Sequence, residues 1–100
     1  MKMGVIPLTP EGQIKKDIDA YLDSVPGLFH YRAPGGAYGR PGIPDIIICY
    51  KGRFVGMEVK TPEGRVSGFQ KTVGAEIEGC GGVWVVVRSV EDAMDAIEAL

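Results

Sequence analysis

Apolar residues recur along the chain with two different periods, and the switches between them outline seven elements. Ile14, Ile18, Tyr21 and Leu22 follow helical spacing on one face. Thr9 stands ahead of them as a cap, with Pro10 at the first helical position, and Pro26-Gly27 stops the helix. Leu28 to Ala33 reads as a strand. Pro34 to Gly42 is too rich in Gly and Pro for regular structure. Asp45 to Tyr50 is a near-continuous apolar run, the mark of a strand covered on both faces. Lys51-Gly52 is a tight turn and Phe54 to Lys60 a further strand, so the two runs predict a hairpin.

Thr61 to Val66 is a polar loop. Ser67 is placed to cap a helix that carries Phe69, Val73 and Ile77 on one face. Gly68 and Gly74 weaken that helix by roughly 1 kcal/mol each relative to Ala. Gly79-Cys80-Gly81-Gly82 ends it, and Val83 to Val87 reads as another buried strand. Ser89 with Asp92 has the pattern of a capping box, heading a last helix that runs towards Leu100 with Val90, Met94 and Ile97 inward. The order is helix, three strands, helix, strand, helix. The first three strands suit an antiparallel meander, and the following helix permits a right-handed crossover to a parallel neighbour. The expected fold class is therefore α/β, a mixed four-stranded sheet flanked by helices.

Composition narrows the classes without choosing among them. A chain of 100 residues, 45% hydrophobic and 24% charged, suits one globular domain over residues 1–100. It has no apolar run long enough for a membrane span and no basic-then-apolar leader, so neither a membrane partner nor export is expected. Cys49 and Cys80 are too few for a disulfide framework or a zinc set and read as reduced thiols of a cytoplasmic protein. The net charge of −2 conceals an uneven distribution. Residues 32–71 hold seven Lys/Arg against three Asp/Glu, whereas residues 72–100 hold one against six. A basic middle suits a face that tolerates phosphate.

The hairpin concentrates the chemistry. Side chains alternate along a strand, so Glu58 and Lys60 share a face and Val59 points away. Asp45 opens the partner strand, and the antiparallel return brings it to the end of the next one. Two carboxylates and an ammonium therefore converge. Phosphodiester hydrolysis needs oxygen ligands for a hard divalent cation, which Asp45 and Glu58 supply. It needs a group to orient or deprotonate water, which Lys60 supplies, and positive charge against the phosphate. The Val59 carbonyl is a further possible metal ligand. The plainer alternative is an ion pair closing a hairpin end. Against it stand the acid at the mouth of an apolar strand, Glu11 in the first turn of the first helix, and Gln70 one turn beyond Ser67.

The ordered set Glu11, Pro44-Asp45, Glu58-Val59-Lys60 and Gln70 resembles the PD-(D/E)xK nuclease superfamily. Arg40-Pro41-Gly42-Ile43-Pro44-Asp45, and Gly64-Arg65-Val66-Ser67-Gly68-Phe69-Gln70 after the lysine, resemble the VRR-NUC family (virus-type replication-repair nucleases) in particular. The resemblance runs from about Glu11 to Ser89 and includes Gly81-Gly82-Val83 before the last strand. It implies a restriction-endonuclease-like core of order αβββαβα in a stand-alone, minimal member of the phage or bacterial kind. It further implies Asp45 and Glu58 as metal ligands, Glu11 completing the site, Lys60 as catalytic lysine, and Gln70 holding that lysine or a substrate phosphate. The implied metal is Mg2+ or Mn2+. The implied substrate is DNA, as in Holliday-junction resolvases and other branch-specific endonucleases, cut by a homodimer in the cytoplasm of a bacterial or phage-infected cell.

Tyr38, Arg40, Arg65 and Lys71 are the favoured DNA contacts, the first two because a Gly-rich loop beside the acids suits a substrate flap. His30 and Trp84 read as structural. A catalytically degenerate nuclease fold that binds DNA or protein is the competing function, and a sequence-specific restriction enzyme the third.

Overall fold

Lys51 at φ 53° and Gly52 at φ 71° turn the central hairpin. Two consecutive residues with positive φ match the right-handed twist of the flanking strands. The computed structural model describes residues 8–34 and 39–100. Its elements are α1 (Pro10–Asp23), β1 (Leu28–Arg32), β2 (Ile46–Tyr50), β3 (Arg53–Val59), α2 (Gly68–Gly79), β4 (Val83–Val87) and α3 (Val90–Glu98). The sheet order is β1-β2-β3-β4, with the first two pairings antiparallel and the last parallel. The turn sets Tyr50 opposite Arg53 and, four pairs on, Ile46 opposite Met57. The next position in that register brings Asp45 to Glu58.

Alternation sorts the sheet into two faces. Ile46, Ile48, Val55, Met57, Val59 and Val87 form the core with Ile18 and Leu22 of α1 and Ala93 and Ile97 of α3. The opposite face carries Phe29, Tyr31, Ile47, Cys49, Phe54, Gly56, Glu58 and Trp84, and α2 packs on part of it against β4. Each helix starts on the expected cap. Thr9 accepts the Gly12 N–H at 3.0 Å, and Ser89 accepts the Asp92 N–H at 3.1 Å. Asp92 returns its carboxylate to the Arg88 N–H rather than to Ser89, so the reciprocal bond falls one residue earlier than a capping box places it. The full capping box is at Ser67 and Gln70.

Several expectations need correction. Phe69 is exposed rather than inward; the first turn of α2 packs by its backbone against the Gly42 loop, and Val73 and Gly74 are the buried positions. Met94 is partly exposed, because Ala93 and Ile97 supply the inward stripe of α3. β4 is an edge strand and only Val87 in it is buried. Among the described residues no helix is long and apolar enough to cross a membrane.

Gly74 reverses its expected sign. A Cβ there would lie 2.3 Å from the Trp84 ring, so the indole occupies the space a side chain would need. Gly74→Ala gains about 1 kcal/mol of helix propensity but forces α2 off β4, an overpacking cost of about 1–3 kcal/mol. The expected net result is destabilisation, read as a lower urea midpoint at unchanged slope; a raised midpoint contradicts the packing described.

Candidate functional site

The site lies where β2 begins and β3 ends. Asp45 precedes β2, and its carbonyl accepts the Ala33 N–H at 2.9 Å, which ties the end of β1 to it. Its Oδ2 accepts the Val59 N–H at 2.8 Å, closing the open end of the hairpin. The acid is thus fixed by a backbone donor on the strand that carries Glu58. Oδ1 points to the Lys15 ammonium, 3.2 Å away.

Glu58 is 1% exposed, the one buried charged residue among the described residues. Its Oε1 accepts a hydrogen bond from Gln70 Nε2 at 2.9 Å, and its Oε2 is buried with no partner. Burial, and then the neighbouring Asp45 carboxyl, push Glu58 up to about 8, against the opposing pull of Lys60 and Lys15. At neutral pH the group is mostly un-ionised. A cation beside Oε2 would reverse that, since an ionised carboxylate is what a hard cation binds.

Gln70 does two jobs with one amide. Its Oε1 accepts the Ser67 N–H at 2.8 Å while its Nε2 holds Glu58. The start of α2 is therefore geared to the acid. Gly42 brings the other wall in: a Cβ there would meet the Phe69 carbonyl oxygen at 2.3 Å, and its φ is 86°. The sequence resemblance had Gln70 holding the lysine or a phosphate; the partner in the structure is Glu58, because the capping geometry turns the amide nitrogen towards β3.

Lys60 follows β3, half-buried, with its N–H donated to the Val87 carbonyl at 2.9 Å. Its side chain forms no ion pair among the described residues, although its charge is felt at Glu58. The loop behind it is stapled by Arg88, whose guanidinium donates to the Thr61 and Gly64 carbonyls, each at 2.7 Å.

Glu11 is joined to the site through Lys15, which lies 3.3 Å from its Oε2. Among the described residues no group of three His, Cys, Asp or Glu side chains is gathered closely enough to hold a metal ion. Burial disfavours the Lys15 charge, but Asp45 and Glu11 outweigh it and hold the group above the usual lysine range. Sequence reasoning passed over Lys15. The available signal was its position four residues after Glu11, on the same helix face.

The remaining candidates divide. Arg40 is paired with Glu76 of α2. Arg65 and Lys71 are exposed, and Tyr38 lies outside the described residues. A cavity of about 420 Å³ beside Asp45 is lined by Lys15, Arg32, Arg40 and Pro44 among others, with each of the three cations paired to a carboxylate. His30 pairs with Asp23 at 2.7 Å, on the face away from the site, as a structural residue does.

The chain superposes on a solved structure of a VRR_NUC domain with a TM-score of 0.75 and 23% sequence identity, over 90% of this chain and 96% of that one. No family model and no curated protein matches the chain. The likeness establishes the fold, the mixed α/β arrangement expected from the sequence.

Proposed function

We propose that the chain is a VRR-NUC-type nuclease that hydrolyses DNA phosphodiester bonds with Mg2+ or Mn2+. The observation that carries this reading is the Glu58 carboxyl, buried in the sheet with one oxygen held by Gln70 and the other unpartnered beside Asp45. A buried acid with an orphaned oxygen costs stability unless something binds it. Hard carboxylate oxygens are donors that Mg2+ and Mn2+ accept, so the residues present fit such an ion. Asp45 and Glu58 would hold it, with the Val59 carbonyl completing the set and Glu11 joining through water.

The bound metal would supply Lewis-acid stabilisation of the phosphate and a more acidic water. The chain's own residues do the rest. Glu58 would release its proton to solvent on becoming a ligand. Asp45, pinned by the Val59 N–H, keeps its position as charge builds. Lys60 orients the attacking water and offers positive charge to the phosphate oxygen. Gln70 keeps Glu58 Oε1 from rotating into the site. Tyr38, Arg40, Arg65 and Lys71 are proposed phosphate contacts, Arg40 after leaving Glu76.

The proposed substrate is branched DNA, including Holliday junctions, and the proposed active form is a homodimer in the cytoplasm. The sheet face that α2 leaves open supports the dimer. Phe29, Tyr31 and Phe54 there are 62%, 55% and 42% exposed. Rings of about 200 Å² each would put roughly 300 Å² of apolar area on that face, a fitting centre for the ~800 Å² each partner buries in a standard interface. A non-catalytic binding module is favoured by one observation, the Lys15 ammonium lodged between Glu11 and Asp45.

The test is a panel of four-way junctions, flaps and linear duplex, incubated with Mg2+ or Mn2+, with light scattering on the same sample. Cutting concentrated on the branched substrates by a dimeric species is expected. A metal-bound protein that cuts none of them leaves the binding module as the better reading, and a strictly monomeric mass removes the dimer.

A further inference from the structure

We propose that the Lys15 ammonium occupies the position a divalent cation takes against Asp45, and that metal binding proceeds by exchange, the lysine leaving as the ion arrives. The proposal rests on the metal-site reading above.

Asp45 has two carboxylate oxygens. Oδ2 is committed to the Val59 N–H at 2.8 Å, a bond internal to the hairpin. Oδ1 is the oxygen left for a ligand, and Lys15 Nζ stands 3.2 Å from it. The same nitrogen is 3.3 Å from Glu11 Oε2, so one ammonium ties the two acids that α1 and β2 bring to the site. Without it, Glu11 and Asp45 would repel across the place where α1 approaches the sheet end. With it, they stay assembled in the absence of metal.

A dication held by Asp45 and Glu58 would have to compete with the ammonium that already stands at hydrogen-bond distance from Asp45 Oδ1. The two cations would repel at that distance, and the oxygen's lone pairs cannot serve both well. Lys15 is the group that can yield, because its side chain is 21% exposed and hangs on a flexible stem. Glu58, at 1% exposure and fixed by Gln70, cannot. Lys15 is thus a positioning residue. It keeps the acids in place before the metal binds and weakens the metal's hold by competing for it.

The test is calorimetric titration of Mn2+ into the parent protein and Lys15→Met at pH 7.5, with no DNA present. Methionine keeps the length of the stem and removes the charge. Folded Lys15→Met is expected to bind Mn2+ about tenfold more tightly at the same stoichiometry, a difference of about 1.4 kcal/mol. Equal or weaker affinity in the variant overturns the exchange. If Lys15→Met does not fold, as read by circular dichroism, Lys15→Gln takes its place under the same criterion. Binding by parent and variant with equal affinity removes only the role of Lys15. Absence of binding by both removes the metal-site reading itself, and the exchange with it.

Discussion

Glu58→Gln protein is expected to be more stable than the parent above pH 8 and to lose its Mn2+ binding. The folded carboxyl ionises at about 8, against 4.5 for the free group. The native state therefore keeps a proton that the unfolded chain releases between those values. An acid with a raised folded pKa makes stability fall as pH rises from about 4.5 to about 8, and the full penalty persists above that. At about 1.4 kcal/mol per tenfold change in proton affinity, the penalty has an upper bound of about 5 kcal/mol, and local relaxation should leave on the order of 3. The amide mimics the protonated acid. It keeps an oxygen for Gln70 and turns its nitrogen towards Asp45. For a chain of this length the gain corresponds to a rise in Tm of about 10 °C or more at pH 8.5, shrinking towards zero near pH 4.5. Thermal melts of both proteins across that range check it. Melting temperatures that stay parallel from pH 4.5 to 8.5 contradict the proposed burden. The same protonation is expected to make any Mn2+ affinity of the parent rise with pH up to about 8, since an ion bound at Glu58 would have to expel its proton.

Asp45→Asn and Lys60→Ala are expected to lower single-turnover cleavage of branched DNA by at least about 10³-fold each, with folding preserved. Asparagine can still accept the Val59 N–H through its amide oxygen, so the hairpin end is expected to survive while the charge proposed to hold the metal is gone. Lys60→Ala leaves both acids in place, so metal binding is expected to persist while cutting fails. That split separates the two roles: calorimetry should show heat for Lys60→Ala and none for Asp45→Asn. A Lys60→Ala protein that cuts at the parent rate would remove that lysine from the proposed catalytic machinery.

The proximity of Asp45, Glu58 and Lys60 was legible in the sequence because it depends on two local rules. Strand alternation puts Glu58 and Lys60 on one face, and a two-residue turn at Lys51-Gly52 lets the pairs be counted back to Asp45. Helix starts were legible for the same reason, as Thr9, Ser67 and Ser89 act within three residues of themselves. What could not be read is what distant elements do on meeting. Lys15 reaches Asp45 from another element, and nothing in helical spacing announces that contact. Gln70 was placed near the site, but which group its amide holds depends on how the capping bond orients it. Gly74 looked like a weak spot in a helix and is the seat of an indole from a strand ten residues later. Phe69 has the right periodicity to be buried, yet backbone packing at Gly42 leaves the ring outside.

The most direct measurement is single-turnover cleavage of one end-labelled four-way junction by the parent protein and Asp45→Asn, in Mn2+ and in EDTA. Cutting by the parent in Mn2+ alone, with no product in the other three lanes, is the predicted result. Product from Asp45→Asn in Mn2+, or from the parent in EDTA, would mean that the hydrolysis does not arise from the acid pair at the mouth of the hairpin.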